Sequence, residues 1–360
     1  MKYLFILPLL LFLLPLFSVA QDIHFSQFNE NSSLVNPALT GQAFAIRASA
    51  IYKDQWRSVT VPYQTFGAAY EMRFNASNWD KVDEHMTETF KKTFSRMAAG
   101  LSFYNDKAGD GKMGISQTNL SLASFVPLSK SSTLSLGLQG SIVQRKIDYS
   151  KLIWPDQYTA SGYNTSLDPG ESFAAGNFIY PDFATGILWS YGYNETAISA
   201  NNQFKVDLGF SMFHLNKPAQ KYLASTSEKL YSKYVFHGKS LIGIKNSNFS
   251  LVPSFIFQMQ GSSKELIVGT LFRYMFKEDS KYTGFEKSSY FSFGAFYRNK
   301  DALIATVLLE KGQFALGFSY DVNTSGLTAA SSSRGGFEVC LRFNTANPFL
   351  YQNKTDAKFD

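Results

Sequence analysis

The chain has 360 residues, of which 16% are aromatic and 17% charged, with one cysteine and a formal net charge of +6 at neutral pH. A single cysteine excludes an intrachain disulfide and a multi-cysteine metal site, and the scattered basic residues argue against a nucleic-acid partner. No segment after the first twenty residues is apolar over the length that a membrane helix requires, so no transmembrane helix is expected in the mature protein.

Residues 1–20 have the pattern of a secretory signal peptide. Lys2 supplies a short positive region, residues 4–17 are almost entirely apolar, and residues 18–20 (Ser-Val-Ala) form a small-x-small cleavage site. We therefore expect export and a mature chain that begins at Gln21. No cysteine follows the cleavage site, so a lipoprotein anchor is not expected.

Most of the remaining chain alternates between large apolar side chains and small or polar ones. In residues 313–321, Phe314, Leu316, Phe318 and Tyr320 share one parity, while Gln, Ala, Gly, Ser and Asp occupy the other. Successive side chains of a strand point to opposite faces, so one face suits lipid and the other a polar lumen.

The alternation predicts an all-β fold, a transmembrane antiparallel β-barrel of about 14 strands over residues 43–344, with a C-terminal tail at 345–360. A secreted soluble all-β protein would alternate in the same way, but 34 Phe and 20 Tyr favour the aromatic girdles of a membrane barrel. The predicted strands lie near 44–53, 63–74, 96–106, 114–127, 132–148, 181–192, 203–216, 231–244, 249–260, 264–276, 289–299, 302–311, 313–323 and 335–344.

Residues 75–95 break the strand pattern and predict a small helical insertion on the periplasmic side. Trp79, Val82, Met86 and Phe90 recur at helical spacing on one face. A hairpin needs only a short turn, so this apolar stripe must be buried somewhere. It either packs beneath the barrel or contacts a periplasmic partner.

Motifs that suggest catalysis or cofactor binding have simpler explanations. Residues 109–114 fit GxGxxG, but they lie between two predicted strands and not between a strand and a helix. The four histidines have no metal or nucleophile spacing. No catalytic, cofactor-binding or metal site is therefore predicted.

The most specific motifs lie near the mature N-terminus. Residues 22–28 are D-I-H-F-S-Q-F, residues 36–41 are N-P-A-L-T-G, and residues 52–56 are Y-K-D-Q-W. They resemble the opening of the PorP/SprF family of type IX secretion membrane proteins, which usually has D-P-H-F-S-Q-Y, N-P-A-x-x-G and Y-R-x-Q-W. Ile23 departs from the usual proline. The matching positions are candidate partner-docking or family-signature residues: His24, Phe25, Ser26, Gln27, Asn36, Pro37, Gly41, Gln55 and Trp56.

The resemblance implies a non-enzymatic barrel of the bacterial outer membrane, in the secretion and gliding machinery of Bacteroidetes. Its expected partners are the C-terminal domain of a secreted adhesin, a peptidoglycan-associated periplasmic component and outer-membrane lipid. Residues 21–42 are expected to be ordered at the periplasmic mouth.

Two other functions stay open at this stage. A porin or fatty-acid-type transporter is one, because fourteen strands lie between the roughly eight that side chains can fill and the roughly sixteen that leave a water channel. An outer-membrane hydrolase is the other, but no serine, histidine and carboxylate set can be assembled from the sequence.

Overall fold

The structure is a computed structural model that describes residues 22–57, 61–74, 96–109, 111–129, 131–170, 176–193, 201–222, 228–277, 288–326 and 328–345. The predicted signal peptide (1–20) and the tail after residue 345 lie outside the described residues. The predicted helical insertion (75–95) lies outside them as well, together with its stripe of Trp79, Val82, Met86 and Phe90.

Within the described residues, fourteen antiparallel strands close into one barrel, as the alternation predicts. Each strand pairs with its neighbours along the chain, which is the simplest way to satisfy every backbone donor and acceptor in lipid. The strands are β1 Ile46–Gln55, β2 Tyr63–Arg73, β3 Met97–Ala108, β4 Met113–Pro127, β5 Ser132–Lys146, β6 Asn177–Tyr193, β7 Phe204–Phe213, β8 Lys233–Gly243, β9 Phe249–Gln260, β10 Ser263–Lys277, β11 Ser289–Arg298, β12 Ala302–Lys311, β13 Phe314–Asn323 and β14 Arg334–Asn344.

The first and last strands close the barrel. Arg47 lies opposite Asn344 at one end of this pair, and Gln55 lies opposite Gly336 at the other. We call the end where β1 begins and β14 finishes the proximal end, and the opposite one the distal end.

The two faces of the strands differ as the alternation predicts. In β13, Phe314 and Phe318 are exposed on the outer wall, while Ser319 and Asp321 are buried in the lumen. The outer wall thus offers apolar and aromatic side chains to lipid. The lumen collects polar and charged groups.

Strand β6 is longer than the predicted segment 181–192, because it begins at Asn177. Pro181, the first residue of the predicted segment, cannot donate a ladder hydrogen bond. In the structure, Pro181 pairs with Ile142 of β5, while β7 reaches β6 only from Thr185 onward. Proline is tolerated here because no strand pairs with this edge of β6 at this height, where the loop after β7 supplies only isolated hydrogen bonds such as Asn216 Nδ2 to Pro181 O.

Helical structure within the described residues is limited to single turns and the four-residue helix Thr328–Ser331. No helix among these residues is long and apolar enough to span a membrane. Three of the turns, Phe28–Glu30, Ser32–Leu34 and Pro37–Leu39, follow one another in the segment that precedes β1.

Candidate functional site: the lumen plug

Residues 22–44 lie inside the barrel, and we call them the plug. Asp22 contacts His214, which directly follows the distal end of β7, and Gly41 contacts Glu71 near the proximal end of β2. The plug therefore extends along the lumen between the two ends of the barrel. This is further than the position at one mouth that we expected for residues 21–42.

A histidine between two carboxylates holds the distal end of the plug. His214 Nε2 lies 2.5 Å from Asp22 Oδ2, and its Nδ1 lies 2.9 Å from Asp182 Oδ2. Burial alone would lower the pKa of His214, but the charge of Asp22 and the hydrogen bond to Asp182 raise it to about 9. Burial would also raise the pKa of Asp22, yet His214 holds it below its ordinary value. A charged imidazolium therefore joins the plug to the wall.

The next anchor is Glu338 of β14, whose carboxylate accepts two backbone hydrogen bonds from the plug. Ser26 N donates to Oε1 at 2.6 Å and Gln27 N donates to Oε2 at 2.9 Å. Lys53 Nζ lies 3.3 Å from Oε1 and balances the charge. All four residues are buried, so the wall compensates two plug N–H groups that would otherwise be unpaired away from water.

Arg298 and Asp321 hold the Ser26 hydroxyl. Arg298 Nη2 donates to Ser26 Oγ at 2.6 Å, and Ser26 Oγ donates to Asp321 Oδ2 at 2.8 Å. The guanidinium also lies 3.0 Å from Asp321 Oδ2. A buried arginine with a charge partner and a hydroxyl is oriented rigidly, because the guanidinium fork fixes the geometry of each bond.

His24 is held beside this group and is neutral. Its carbonyl oxygen accepts from Lys53 Nζ at 3.0 Å, and its Nδ1 lies 3.4 Å from Glu265 Oε2. Burial, and then the positive charges of Lys53 and Arg298, lower the pKa of His24 well below its ordinary value.

The middle of the plug carries a carboxylate into a cluster of arginines. Arg342 Nη1 donates to both oxygens of Glu30, at 2.9 and 2.7 Å, and Arg47 Nη2 lies 3.6 Å from the same group. Arg342 Nη2 also donates to Glu310 Oε1 at 2.8 Å. Although burial raises the pKa of Glu30, the nearby arginines lower it below its ordinary value. Glu30 is therefore ionised and bound.

Apolar side chains of the plug meet an apolar patch of the inner wall. Phe28 packs edge to face on Phe296 with ring centroids 6.0 Å apart, and Val35 joins the same buried cluster. Phe25 packs in a second cluster with Ile51 and Cys340. These contacts bury aromatic side chains of the plug that would be unfavourable in solvent.

Asn36 fixes the part of the plug that carries the Asn-Pro-Ala motif. Its Oδ1 accepts from Ala38 N at 2.8 Å and caps the turn Pro37–Leu39. Its Nδ2 donates to the carbonyl oxygens of Ile187 and Phe210, at 3.0 and 3.3 Å, on β6 and β7. One amide thus serves the local turn with its oxygen and the barrel wall with its nitrogen.

Glycines of the wall allow this motif to approach the strands closely. A Cβ at Gly137 would overlap the backbone of Pro37 and Ala38, and one at Gly186 would overlap the Asn36 side chain. The plug backbone therefore rests directly on the wall, where only glycine leaves room.

Glu71 of β2 secures the proximal part of the plug. It accepts from Ser32 Oγ, and its Oε2 accepts from Gly41 N at 3.0 Å. Gly41 has a φ of +66°, and a Cβ there would overlap that of Ala98. Glycine is needed at this position of the motif for both reasons.

The structure places seven of the nine predicted signature residues in the plug: His24, Phe25, Ser26, Gln27, Asn36, Pro37 and Gly41. Gln55 and Trp56 lie instead at the distal end of β1. There Trp56 N donates to Gly335 O at 2.8 Å, and the indole meets the Tyr63 ring at 4.9 Å. They belong to the distal rim and not to the plug.

Sequence reasoning missed the partners of the plug on the wall. Glu71, Asp182 and Glu338 are carboxylates on the lumen parity of their strands, and His214 directly follows a strand. A buried charge requires a partner, so charged residues on the lumen-facing positions of the strands could have been predicted to bind the plug. Among the described residues, no cluster of histidine, cysteine and carboxylate side chains could hold a metal ion.

A closed antiparallel barrel with an apolar outer wall and a plugged polar lumen defines the class: an outer-membrane β-barrel protein. The family model "Type IX secretion system membrane protein PorP/SprF" matches residues 17–343, and the chain belongs to this family. The resemblance seen in the sequence is thereby confirmed. None of the curated proteins compared with the chain is a significant match.

Similar solved structures are also bacterial barrels. The toluene transporter TbuX of Ralstonia pickettii has 9% identity and a TM-score of 0.42, with 88% of this chain and 93% of that chain covered. The outer membrane protein Omp33 of Acinetobacter baumannii has 8% identity and a TM-score of 0.37, with 85% and 100% covered. CdiB from the same organism has 7% identity and a TM-score of 0.40, with 83% and 60% covered.

Proposed function

We propose that this protein is a closed, non-enzymatic platform of the type IX secretion and gliding machinery. It supports secretion or surface anchoring of an adhesin through the C-terminal domain of that adhesin, and it docks a peptidoglycan-associated component in the periplasm. The proximal end faces the periplasm in this proposal. Residues 1–20 direct export and are removed.

The observation that supports this proposal is that the plug occupies the lumen. The plug is bound to the wall by buried ion pairs at Asp22 and Glu30, and by close backbone packing at Gly137. Such contacts suit a permanent part of the fold better than a gate that opens for each solute. With the plug in the lumen, the surfaces open to a protein partner are the two mouths and the outer wall. This favours a docking role over the porin or fatty-acid transporter.

A plug that is fixed to the wall by a disulfide distinguishes a platform from a channel experimentally. Thr40 Oγ1 and Ser121 Oγ are 2.9 Å apart and both residues are buried, so Thr40→Cys with Ser121→Cys is placed to form a disulfide in an oxidising envelope. Cys340→Ser removes the native thiol. We expect the oxidised double variant to display adhesin as the wild type does. Loss of display on oxidation and its recovery on reduction would favour a channel.

The control is the same pair of cysteines kept reduced, which reports any cost of the substitutions themselves. Conductance gives a second readout. In planar bilayers the wild type should show small, irregular currents, whereas a large steady conductance would favour the porin.

The proposed periplasmic contact involves the predicted helical insertion at 75–95. Replacing Met86 and Phe90 with alanine should abolish co-purification of the periplasmic component while the barrel stays heat-modifiable. If the barrel loses stability instead, the stripe is part of its packing. Reaction of a cysteine at Glu84 with an impermeant maleimide on intact cells would place this segment outside the cell and overturn the orientation.

A further inference from the structure

A cavity of about 300 Å³ remains beside the plug, in the proximal half of the lumen. The plug forms one side of it, with Phe28 and Leu39, and the strands form the other, with Val252, Leu271 and Leu308. This volume is at the lower end of the range for ligand pockets, about 300–1,000 Å³. These side chains make one part of the lining apolar, while charged side chains line the rest.

The charges around the cavity do not balance. Five cationic side chains and three carboxylates line it: Arg47, Lys205, Lys239, Arg273 and Arg342, with Glu30, Asp207 and Glu310. The arginines are engaged. Glu30 and Glu310 both bind Arg342, Arg47 lies 3.6 Å from Glu30, and Arg273 Nε donates to Glu310 at 2.9 Å.

Lys239 differs from these arginines, because no carboxylate among the described residues bonds to it directly. It lies opposite Asp207 on β7 and Ser254 on β9, so its side chain points into the lumen. Asp207 accepts a hydrogen bond from Gln42 Nε2 of the plug, at 3.1 Å. Within the part of the chain that the structure describes, Lys239 has neither a hydrogen bond nor an ion pair. Glu30 and Asp207 act on the Lys239 ammonium electrostatically, but neither bonds to it, so its N–H donors are open to an anion in the cavity.

We propose that this cavity binds a small amphipathic carboxylate. The carboxylate accepts hydrogen bonds from Lys239 Nζ, and the apolar body lies against Phe28, Val252, Leu271 and Leu308. The ligand is held between plug and wall, so it stabilises the closed state of the lumen. The site does not depend on the docking role, and it is tested on the isolated protein.

Isothermal titration calorimetry with decanoate tests the site on the mature chain in amphipol, with amphipol alone as the blank. We expect saturable binding of one decanoate per chain. Lys239→Met should raise the Kd by about tenfold or more, as for loss of a hydrogen bond to a charged group. The matched control is Lys245→Met, an exposed lysine that follows β8 at the same end of the barrel. It should leave the Kd unchanged.

Two further arms define the ligand chemistry. Decanol has the same apolar body without the charge, so it should bind to the wild type more weakly than decanoate does. Its affinity for Lys239→Met should equal its affinity for the wild type. Ser292→Phe places a ring in the cavity from β11 and should abolish binding in a chain that stays heat-modifiable. It provides a second variant that does not alter charge.

Several results would overturn the proposal. These are an absence of saturable binding, equal affinities for decanol and decanoate, and equal effects of the Lys239 and Lys245 substitutions. Decyl phosphate distinguishes a lipid phosphate from a carboxylate. Tighter binding of decyl phosphate than of decanoate would overturn the carboxylate assignment.

Discussion

Glu30 and Arg342 form a buried ion pair inside the barrel, in which Arg342 Nη1 donates to both carboxylate oxygens at 2.9 and 2.7 Å. One partner belongs to the plug and the other to β14, the last strand. The pair therefore joins the two ends of the described chain, across a separation of 312 residues. Breaking it should loosen the plug without opening the strand ladder.

Glu30→Gln should expose the plug to labelling. Removing one partner of a buried pair typically costs about 3–5 kcal/mol, and we expect the lower end because Glu310 still binds Arg342. The reporter is Ser33→Cys, a buried plug position, in a Cys340→Ser background, measured by its rate of reaction with maleimide. Glu228→Gln, which removes an exposed carboxylate from a short two-stranded sheet outside the barrel ladder, is the control. Equal labelling rates for the two variants would contradict the pairing as an anchor.

Gly137→Ala should displace the plug, because the added Cβ would overlap the backbone of Pro37 and Ala38. Overpacking of this kind costs about 1–3 kcal/mol. Gly140→Ala is a matched control three residues along the same strand, where the new Cβ would only reach van der Waals contact with Phe183, at 3.8 Å. The thermal midpoint by circular dichroism and the Ser33→Cys reporter should both change for Gly137→Ala alone. A tolerated alanine at Gly137 would mean that the motif does not rest on the wall.

The barrel itself was predictable because a single physical rule acts on every strand. Lipid outside and polar groups inside impose alternation, so Phe314 and Phe318 faced outward and Asp321 inward as predicted. The predicted start of β6 at residue 181 was wrong: the strand begins at Asn177. Its first residues pair with β5 and not with β7, which only the assembled sheet could show.

The sequence predicted that the plug is ordered, but not the course that it takes through the lumen. His24, Phe25 and Asn36 marked it as a motif, whereas its course depends on which lumen charges meet which plug atoms. Parity places Glu338 in the lumen, but it cannot show that this carboxylate accepts from Ser26 N, 312 positions away. Contacts of that range require the closed barrel.

His214 should titrate near 9, because Asp22 and Asp182 stabilise its charged form against burial. A group with a raised pKa contributes stability below its unfolded value, about 6.5, and that contribution is lost as the pH rises through 9. The pKa of Asp22 is lowered. Asp22 therefore contributes stability at every pH above its ordinary pKa, and this contribution is lost only in strong acid. The difference in thermal midpoint between wild type and His214→Gln should therefore shrink between about pH 7 and about pH 10.

The chain has only four histidines, so the pKa of His214 can also be measured directly by NMR on histidine-labelled protein. Asp22→Asn should move it down towards its ordinary value. A difference in midpoint that stays constant from neutral to alkaline pH would show that the imidazolium does not hold the plug.

Asn36→Asp separates the two roles of this amide. The carboxylate can still accept from Ala38 N, but ionised oxygen would face the carbonyl oxygens of Ile187 and Phe210, where the amide nitrogen donates at 3.0 and 3.3 Å. Asn36 is fully buried, so burial favours the protonated acid. His237 Nε2, 3.1 Å from Asn36 Nδ2, would compensate an introduced carboxylate only if the imidazole took up a proton. We expect the plug to be released at about pH 8 and to return at about pH 5, as the acid form regains a donor.

Asn216→Asp is the control for this change, because Asn216 Nδ2 also donates to a carbonyl oxygen, that of Pro181 at 2.8 Å, but on an exposed loop. In the Asn216→Asp variant, labelling of the Ser33→Cys reporter should not depend on pH. The readout is protection of the Ser33→Cys reporter, measured at each pH relative to a small free thiol so that the reactivity of the reagent cancels. If Asn36→Asp protects the reporter at about pH 8 as well as the wild type does, the nitrogen of Asn36 is not what binds the plug to β6 and β7.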